Sequence, residues 1–132
     1  MVLVDGDGTP LSATIASASE AEVNLIEPLL DSRICEELPE RLIYDRAADS
    51  DPLRQRLDAR GLELICPHRR NRTRPATQDG RSLRRYGRRY RVERTISWLF
   101  NYRRLVVRYE YWNHLFAGFV HLACLFSILK RF

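Results

Sequence analysis

Four short apolar runs, "MVLVD" (1–5), "LSATIAS" (11–17), "RLIYD" (41–45) and "LELIC" (62–66), are separated by segments carrying helix-start and helix-stop chemistry. That alternation restricts the chain to an α/β arrangement of short strands and helices. The first two runs flank "GDGTP", whose Gly6, Gly8 and Pro10 predict a hairpin turn. Ser19 and Glu22 form an S-x-x-E capping box ahead of the stripe Val23, Ile26, Leu29 and Leu30, which predicts a helix down to Asp31. Ser50 and Asp51 followed by Pro52 open a second helix through "PLRQRLDAR", and Gly61 closes it. Helix crossovers between the later runs predict parallel pairing after an antiparallel hairpin. Residues 67–82, "PHRRNRTRPATQDGRS", lack periodicity and predict a mobile loop. From about Leu83 to Val107, and again from Trp112 to Lys130, the chain reads as helical. At 132 residues and 45% hydrophobic content, one domain is expected over 1–132, with an α/β part (1–66), a basic loop (67–82) and a helical part (83–132).

Charge divides the chain sharply. Residues 1–66 hold six arginines against fourteen acids, whereas residues 69–108 hold fourteen arginines against Asp79 and Glu93. Guanidinium groups bind phosphate oxygens in pairs, so a segment this rich in Arg fits a polyanionic partner. Cys35, Cys66 and Cys124 are far apart and form no CxxC pair, as expected of free thiols in a reducing cytosol. "MVLVDGDG" turns polar too early for a signal peptide. The fifteen-residue run Leu115–Leu129 is shorter than the roughly twenty residues a membrane span needs, which predicts a buried core helix and no membrane partner. His114, His121 and Cys124 lie along that helix without completing a zinc ligand set, and read as polar residues in a core. At helical spacing, Trp98, Phe100, Trp112 and Phe116 also read as core.

Two carboxylates stand out by position. Asp45 ends an apolar strand, and in open α/β sheets ligands bind outside the carboxyl ends of strands. It could equally be an aspartate that turns the chain, with Asp49 capping the next helix. Glu93 sits inside the arginine stretch, and helical geometry puts Tyr86, Arg89, Tyr90, Ile96, Ser97 and Phe100 on its side. A surface pair with Arg89 is worth only about 0.3–0.5 kcal/mol. An acid that holds a metal beside arginines that hold DNA phosphate accounts better for the density of charge.

Three stretches, "LIYDRAADSDPLRQRL", "LICPHRRNR" and "YGRRYRVERTISWLFNYRRLVVRYE", followed by an apolar helix, resemble the second half of the DDE transposases of bacterial insertion sequences, especially the insertion sequence five group. The resemblance covers nearly the whole chain. The family signature Y-x2-R-x3-E falls on Tyr86, Arg89 and Glu93, and the second catalytic Asp falls on Asp45, with Asp49 ending the tetrapeptide after it. Ala48 replaces the usual Tyr, and Phe100 stands where the extended signature has Lys. The resemblance implies a ribonuclease H-like mixed sheet with a helical C-terminal third, and Asp45 and Glu93 as catalytic, metal-binding carboxylates. It implies two Mg²⁺ (or Mn²⁺) ions in the complete enzyme, serving DNA strand cleavage and strand transfer. Tyr86, Arg84, Arg85, Arg88, Arg89, Arg94, Arg103 and Arg104 are then the expected DNA contacts. The partners are DNA, as element ends and target, and an upstream transposase segment or a second copy. The setting is the bacterial cytoplasm, at the nucleoid.

The family needs a third carboxylate. Asp5 ends the run "MVLVD", but the "VDGxGxPL" pattern resembles the hairpin between the second and third strands, which places the first catalytic Asp upstream of Met1. The expected sheet therefore lacks its first, central strand, and the chain is expected to be inactive alone. Two rival readings are a non-enzymatic basic protein that binds nucleic acid through 69–108, and a small protein that associates with membranes through its last helix.

Overall fold

The computed structural model describes residues 1–131. In chain order the elements are β1 (Val2–Val4), β2 (Pro10–Ala13), α1 (Glu22–Asp31), β3 (Arg41–Ile43), α2 (Asp51–Ala59), β4 (Glu63–Ile65), α3 (Gly80–Leu83), α4 (Tyr90–Leu99), α5 (Arg103–Val106) and α6 (Asn113–Leu129). Two tight 3₁₀ turns, Arg46–Ala48 and Arg84–Arg89, precede α2 and α4. The protein is a mixed α/β chain with a helical C-terminal part, and its described strands form two two-stranded sheets. The chain divides into two compact units. Unit 1 comprises Met1–Glu20, Leu25–Cys35 and the chain from Tyr90 onward; unit 2 comprises Ala21–Asn24 and Glu36–Arg89. One border falls inside α1, where Pro28 has no N–H to give the Asn24 carbonyl, so the helical ladder is interrupted at the same place.

Unit 1 is built on the predicted hairpin. β1 and β2 pair antiparallel (Val2 with Ala13, Leu3 with Ser12, Val4 with Pro10), with an irregularity between Leu3 and Val4. Asp5 makes the turn: its Oδ1 accepts from the backbone N–H groups of Asp7 and Thr9, each at 2.8 Å. Partial burial pushes the Asp5 pKa up, but the Thr9 and Asp7 bonds outweigh it and hold it below the ordinary carboxylate range. Gly8 has φ +84°, and a Cβ there would lie 2.9 Å from Thr95 Oγ1. Only glycine allows the turn to approach α4 this closely. The buried Thr95 hydroxyl then donates to the Gly8 carbonyl at 2.6 Å, docking the hairpin on α4. Leu99, Ala123 and Cys124 form the core behind it, with Val2, Ala13, Tyr102, Leu105 and Val120 packed around them.

Unit 2 is the predicted parallel crossover. β3 and β4 pair in register (Arg41 with Glu63, Leu42 with Leu64, Ile43 with Ile65), and α2 connects them. Ser50 caps α2 by accepting from the Leu53 N–H, Pro52 lies in its first turn, and Gly61 (φ +76°) follows its end. Leu53 and Leu57 on α2 are fully buried, as are Leu62, Ile65 and Cys66.

Several expectations are corrected. The Ser19 box does not form: Ser19 bonds Ser17 instead, and α1 begins at Glu22. The continuous helix over 83–107 is four short segments. The 84–89 portion carries four arginines and Gly87, whose repulsion and low helix propensity favour a tight 3₁₀ turn over an α-helix. The break after α4, at Asn101 and Tyr102, closes with i→i+3 bonds to the carbonyls of Trp98 and Leu99. Helix α6 is not a buried core helix. Ala123 and Cys124 are its buried residues, whereas Leu115, Leu122, Leu125, Phe126 and Leu129 are each about half exposed. A two-stranded hairpin and the short helices α4 and α5 cover one narrow face of so apolar a helix within this unit. His121 is exposed and bonds the Ala13 carbonyl through Nε2 (3.0 Å). Trp98, Phe100 and Trp112 are exposed as well, because Thr95 and Leu99 are the residues α4 turns inward. No described helix is long and apolar enough to cross a membrane.

Candidate active site

Asp45 lies two residues past β3, where the Tyr44 N–H still bonds the Ile65 carbonyl (3.0 Å) and extends the β3–β4 ladder. This puts the carboxylate at the C-terminal end of a parallel pair, the position at which α/β proteins present chemistry. Its Oδ1 accepts from the Ala47 N–H at 2.8 Å, capping the 3₁₀ turn, and its Oδ2 lies 3.6 Å from the Arg89 guanidinium. The side chain remains 38% exposed, so it is a structured carboxylate open to solvent. Beside it, the Tyr44 hydroxyl donates to Glu22 Oε2 at 2.9 Å. Burial, followed by this bond to Glu22, drives the phenol pKa far above its ordinary value and keeps it protonated.

Asp49, four residues on, does not cap α2; Ser50 does. Its side chain is 2% exposed and meets Arg54 (3.3 Å), Arg72 (3.4 Å), His68 Nδ1 (2.9 Å) and the Arg69 N–H (2.8 Å). His68 Nε2 accepts from the Thr77 N–H at 3.1 Å, so Nδ1 carries the proton and donates to Asp49. Burial pushes the Asp49 pKa up, but the Arg69 N–H, His68 and Arg54 together bring it below the ordinary range. Arg54 reaches further, donating to the carbonyls of Leu64 (2.8 Å) and Cys66 (3.1 Å) and to Cys66 Sγ. Burial lifts the Cys66 thiol to about 11, which keeps it protonated and unreactive.

The segment expected to be mobile is therefore tied down along much of its length. Arg69 donates to the carbonyls of Arg46 and Ala47, Arg72 and Arg74 both pair with Asp51, and Gln78 donates to the Leu64 carbonyl. Arg69 and Arg72 are struts fixing this loop to the turn that presents Asp45. The residues overlooked in the sequence are Arg54, His68 and Arg72, which enclose Asp49. Their partners lie five to twenty-three positions apart across an aperiodic loop, so no local pattern announces them.

Among the expected DNA contacts, Arg84, Arg85 and Arg88 are exposed on the second 3₁₀ turn, while Tyr86 and Arg89 are half-buried. These five belong to unit 2 with Asp45, and of the signature residues Arg89 is the one brought to it. Glu93 belongs to unit 1, exposed in the first turn of α4, where a negative charge also complements the helix N-terminus. Arg94 and Arg103 are exposed on α4 and α5. Arg104 is held inside unit 1 by Glu110 (3.0 Å) and lies over the rings of Tyr109 and Phe119.

A divalent cation of the kind the resemblance implies needs several oxygen ligands. Asp45 and Glu93 have the right chemistry. Among the described residues, however, no three His, Cys, Asp or Glu side chains converge into a metal-holding group.

The comparisons with known proteins bear on the same signature. The family model for the transposase DDE domain matches residues 1–128. A Burkholderia cepacia protein assigned as the transposase for insertion sequence element IS402 is 34% identical over 131 residues, covering 93% of this chain. The chain spans 58% of that relative's length. No solved structure matches. With a family model that matches residues 1–128 and a relative 34% identical over 93% of its length, the chain belongs to the transposase DDE domain family.

Proposed function

We propose that this chain is the second half of a DDE transposase catalytic domain, a single ribonuclease H-like unit when complete, acting on DNA at the bacterial nucleoid. The reaction is cleavage and transfer of a DNA strand at the ends of an insertion element. Asp45 and Glu93 are its catalytic carboxylates and the ligands it contributes to the Mg²⁺ or Mn²⁺ that the family implies. Such an ion supplies positive charge to the phosphoryl oxygens in metal-assisted strand cleavage. The observation carrying this reading is the signature Y-x2-R-x3-E, with its arginine beside a solvent-open Asp45 at the end of a parallel strand pair. Arg89 orients that carboxylate, and the exposed Arg84, Arg85 and Arg88 on the same turn supply phosphate contacts.

Asp5 is not the third carboxylate in this reading. Its Oδ1 is engaged by two backbone N–H groups of its own turn, so it shapes the hairpin instead of facing substrate. In this reading a carboxylate other than Asp5 completes the triad. The test is transposition by the full transposase carrying Asp45→Ala or Glu93→Ala. Each substitution should abolish strand cleavage while binding to the element ends persists. A variant that still transposed would remove that residue from the site, and loss of DNA binding alone would favour a purely binding role.

A further inference from the structure

We propose that Arg69 is a positioning residue for Asp45: its guanidinium fixes the turn that presents the carboxylate, so that it acts on strand cleavage and not on DNA binding. The inference rests on the reading of Asp45 as a catalytic carboxylate, and it sets one arginine apart from the basic segment around it.

Asp45 opens a 3₁₀ turn of only three residues, Arg46–Ala48. Within it, Asp45 Oδ1 accepts from the Ala47 N–H at 2.8 Å, and the Asp49 N–H donates to the Arg46 carbonyl at 3.2 Å. So short a turn has few bonds of its own to set against the backbone entropy that each fixed residue costs, and 3₁₀ bonds are less well aligned than those of an α-helix. Arg69 adds to them from outside. Its Nε donates to the Arg46 carbonyl at 3.2 Å and its Nη2 to the Ala47 carbonyl at 3.0 Å, so one guanidinium spans two consecutive carbonyls. Its backbone N–H donates to Asp49 Oδ2 at 2.8 Å, which anchors the same residue to the far end of the turn. The residue before it is fixed as well, since His68 bonds Asp49 through Nδ1 and Thr77 through Nε2. All of these residues belong to unit 2.

Ala47 links the two sides. It gives its N–H to Asp45 and its C=O to Arg69, so a movement of this peptide segment displaces the carboxylate. The other oxygen of Asp45 has a contact of 3.6 Å to Arg89, and a pair that long and that exposed holds little by itself. The shape of the cation matters here. Adjacent carbonyls match the planar fork of a guanidinium, whereas an ammonium is a point charge on a flexible stem and cannot span them in the same way. An arginine that only neutralised phosphate would be replaceable by lysine in large part. Arg69 is exposed, yet these donors are directed at backbone of its own chain.

Two measurements test the assignment. In the isotopically labelled full chain, amide exchange of Ala47 reports on the turn without metal or DNA. Arg69→Gln should speed it about tenfold through the loss of two hydrogen bonds, and Arg69→Lys nearly as much. In the full transposase, both variants should cut bound element ends about 10–100-fold more slowly, with duplex affinity changed less than about twofold. Unchanged Ala47 exchange would overturn the proposal. So would variants that lose duplex affinity but cut bound DNA at the ordinary rate, or a lysine variant that restores cutting. Failure of the catalytic reading shows separately: Asp45→Ala would still cleave while Ala47 exchange still responded to Arg69→Gln, a result that removes the cleavage role from Arg69 and leaves its hold on the turn.

Discussion

Asp45 and Asp49 lie one short turn apart, yet their surroundings make them opposites. Asp49 is enclosed by two arginines, a histidine and a backbone N–H, and almost none of its side chain reaches solvent. Asp45 keeps one cap bond and one long arginine contact, with more than a third of its side chain exposed. A carboxylate whose lone pairs are all engaged by the fold holds a structure together. One that the fold positions but leaves open can bind something else. The contrast gives Asp49 a structural part and leaves Asp45 open to a ligand, and it also accounts for the loop arginines: Arg69 bonds the turn after Asp45 and Arg72 meets Asp49.

The contrast can be broken by measurement. Its largest expected effect is on stability. Asp49→Ala removes the buried acceptor shared by Arg54, Arg72, His68 and the Arg69 N–H and should cost about 2–3 kcal/mol, whereas Asp45→Ala loses a cap bond and should cost about 1 kcal/mol. Urea unfolding of the two variants gives the comparison, and similar losses would erase the distinction. Next in size is the response to acid. Because the folded pKa of Asp49 is lowered, its contribution is complete above the unfolded carboxylate value of about 3.9 and disappears as pH falls through the lowered folded value. Stability should therefore fall below about pH 4, and Asp49→Asn should flatten that part of the curve. If the Asn variant retained the full acid dependence, other carboxylates would be responsible. The smallest effect concerns the exposed arginines. Replacing Arg84, Arg85 and Arg88 by Gln should reduce the salt slope of DNA binding by about 0.9 for each phosphate no longer neutralised, while Arg72→Gln should act on stability and leave the slope unchanged.

The sequence discloses some of this and conceals the rest for definable reasons. The hairpin, the β3–α2–β4 crossover and the Ser50–Pro52 helix start are local signals, written within a few residues, and they are legible. The Ser19 box has the same local form and fails, because Ser17 competes for the hydroxyl. The exposure of Trp98 and of much of α6 is a tertiary outcome: periodicity shows which residues share a face, not whether a neighbour covers it. Asp45, Tyr86, Arg89 and Glu93 stand out through motif spacing. The Asp49 network is hidden because its arginines come from a loop without any period, where struts and DNA-binding side chains look the same in sequence.

The proposed function names Asp45, and not Asp49, as a ligand of the metal that the family implies, and Glu93 as another. Fe²⁺ in place of Mg²⁺ in the full transposase, with ascorbate and peroxide, generates radicals that cut the backbone next to the ion. The account predicts cuts near Asp45 and near Glu93, with both lost in Asp45→Asn. Cuts that persist in Asp45→Asn and vanish in Asp49→Asn, in protein that remains folded, would contradict it.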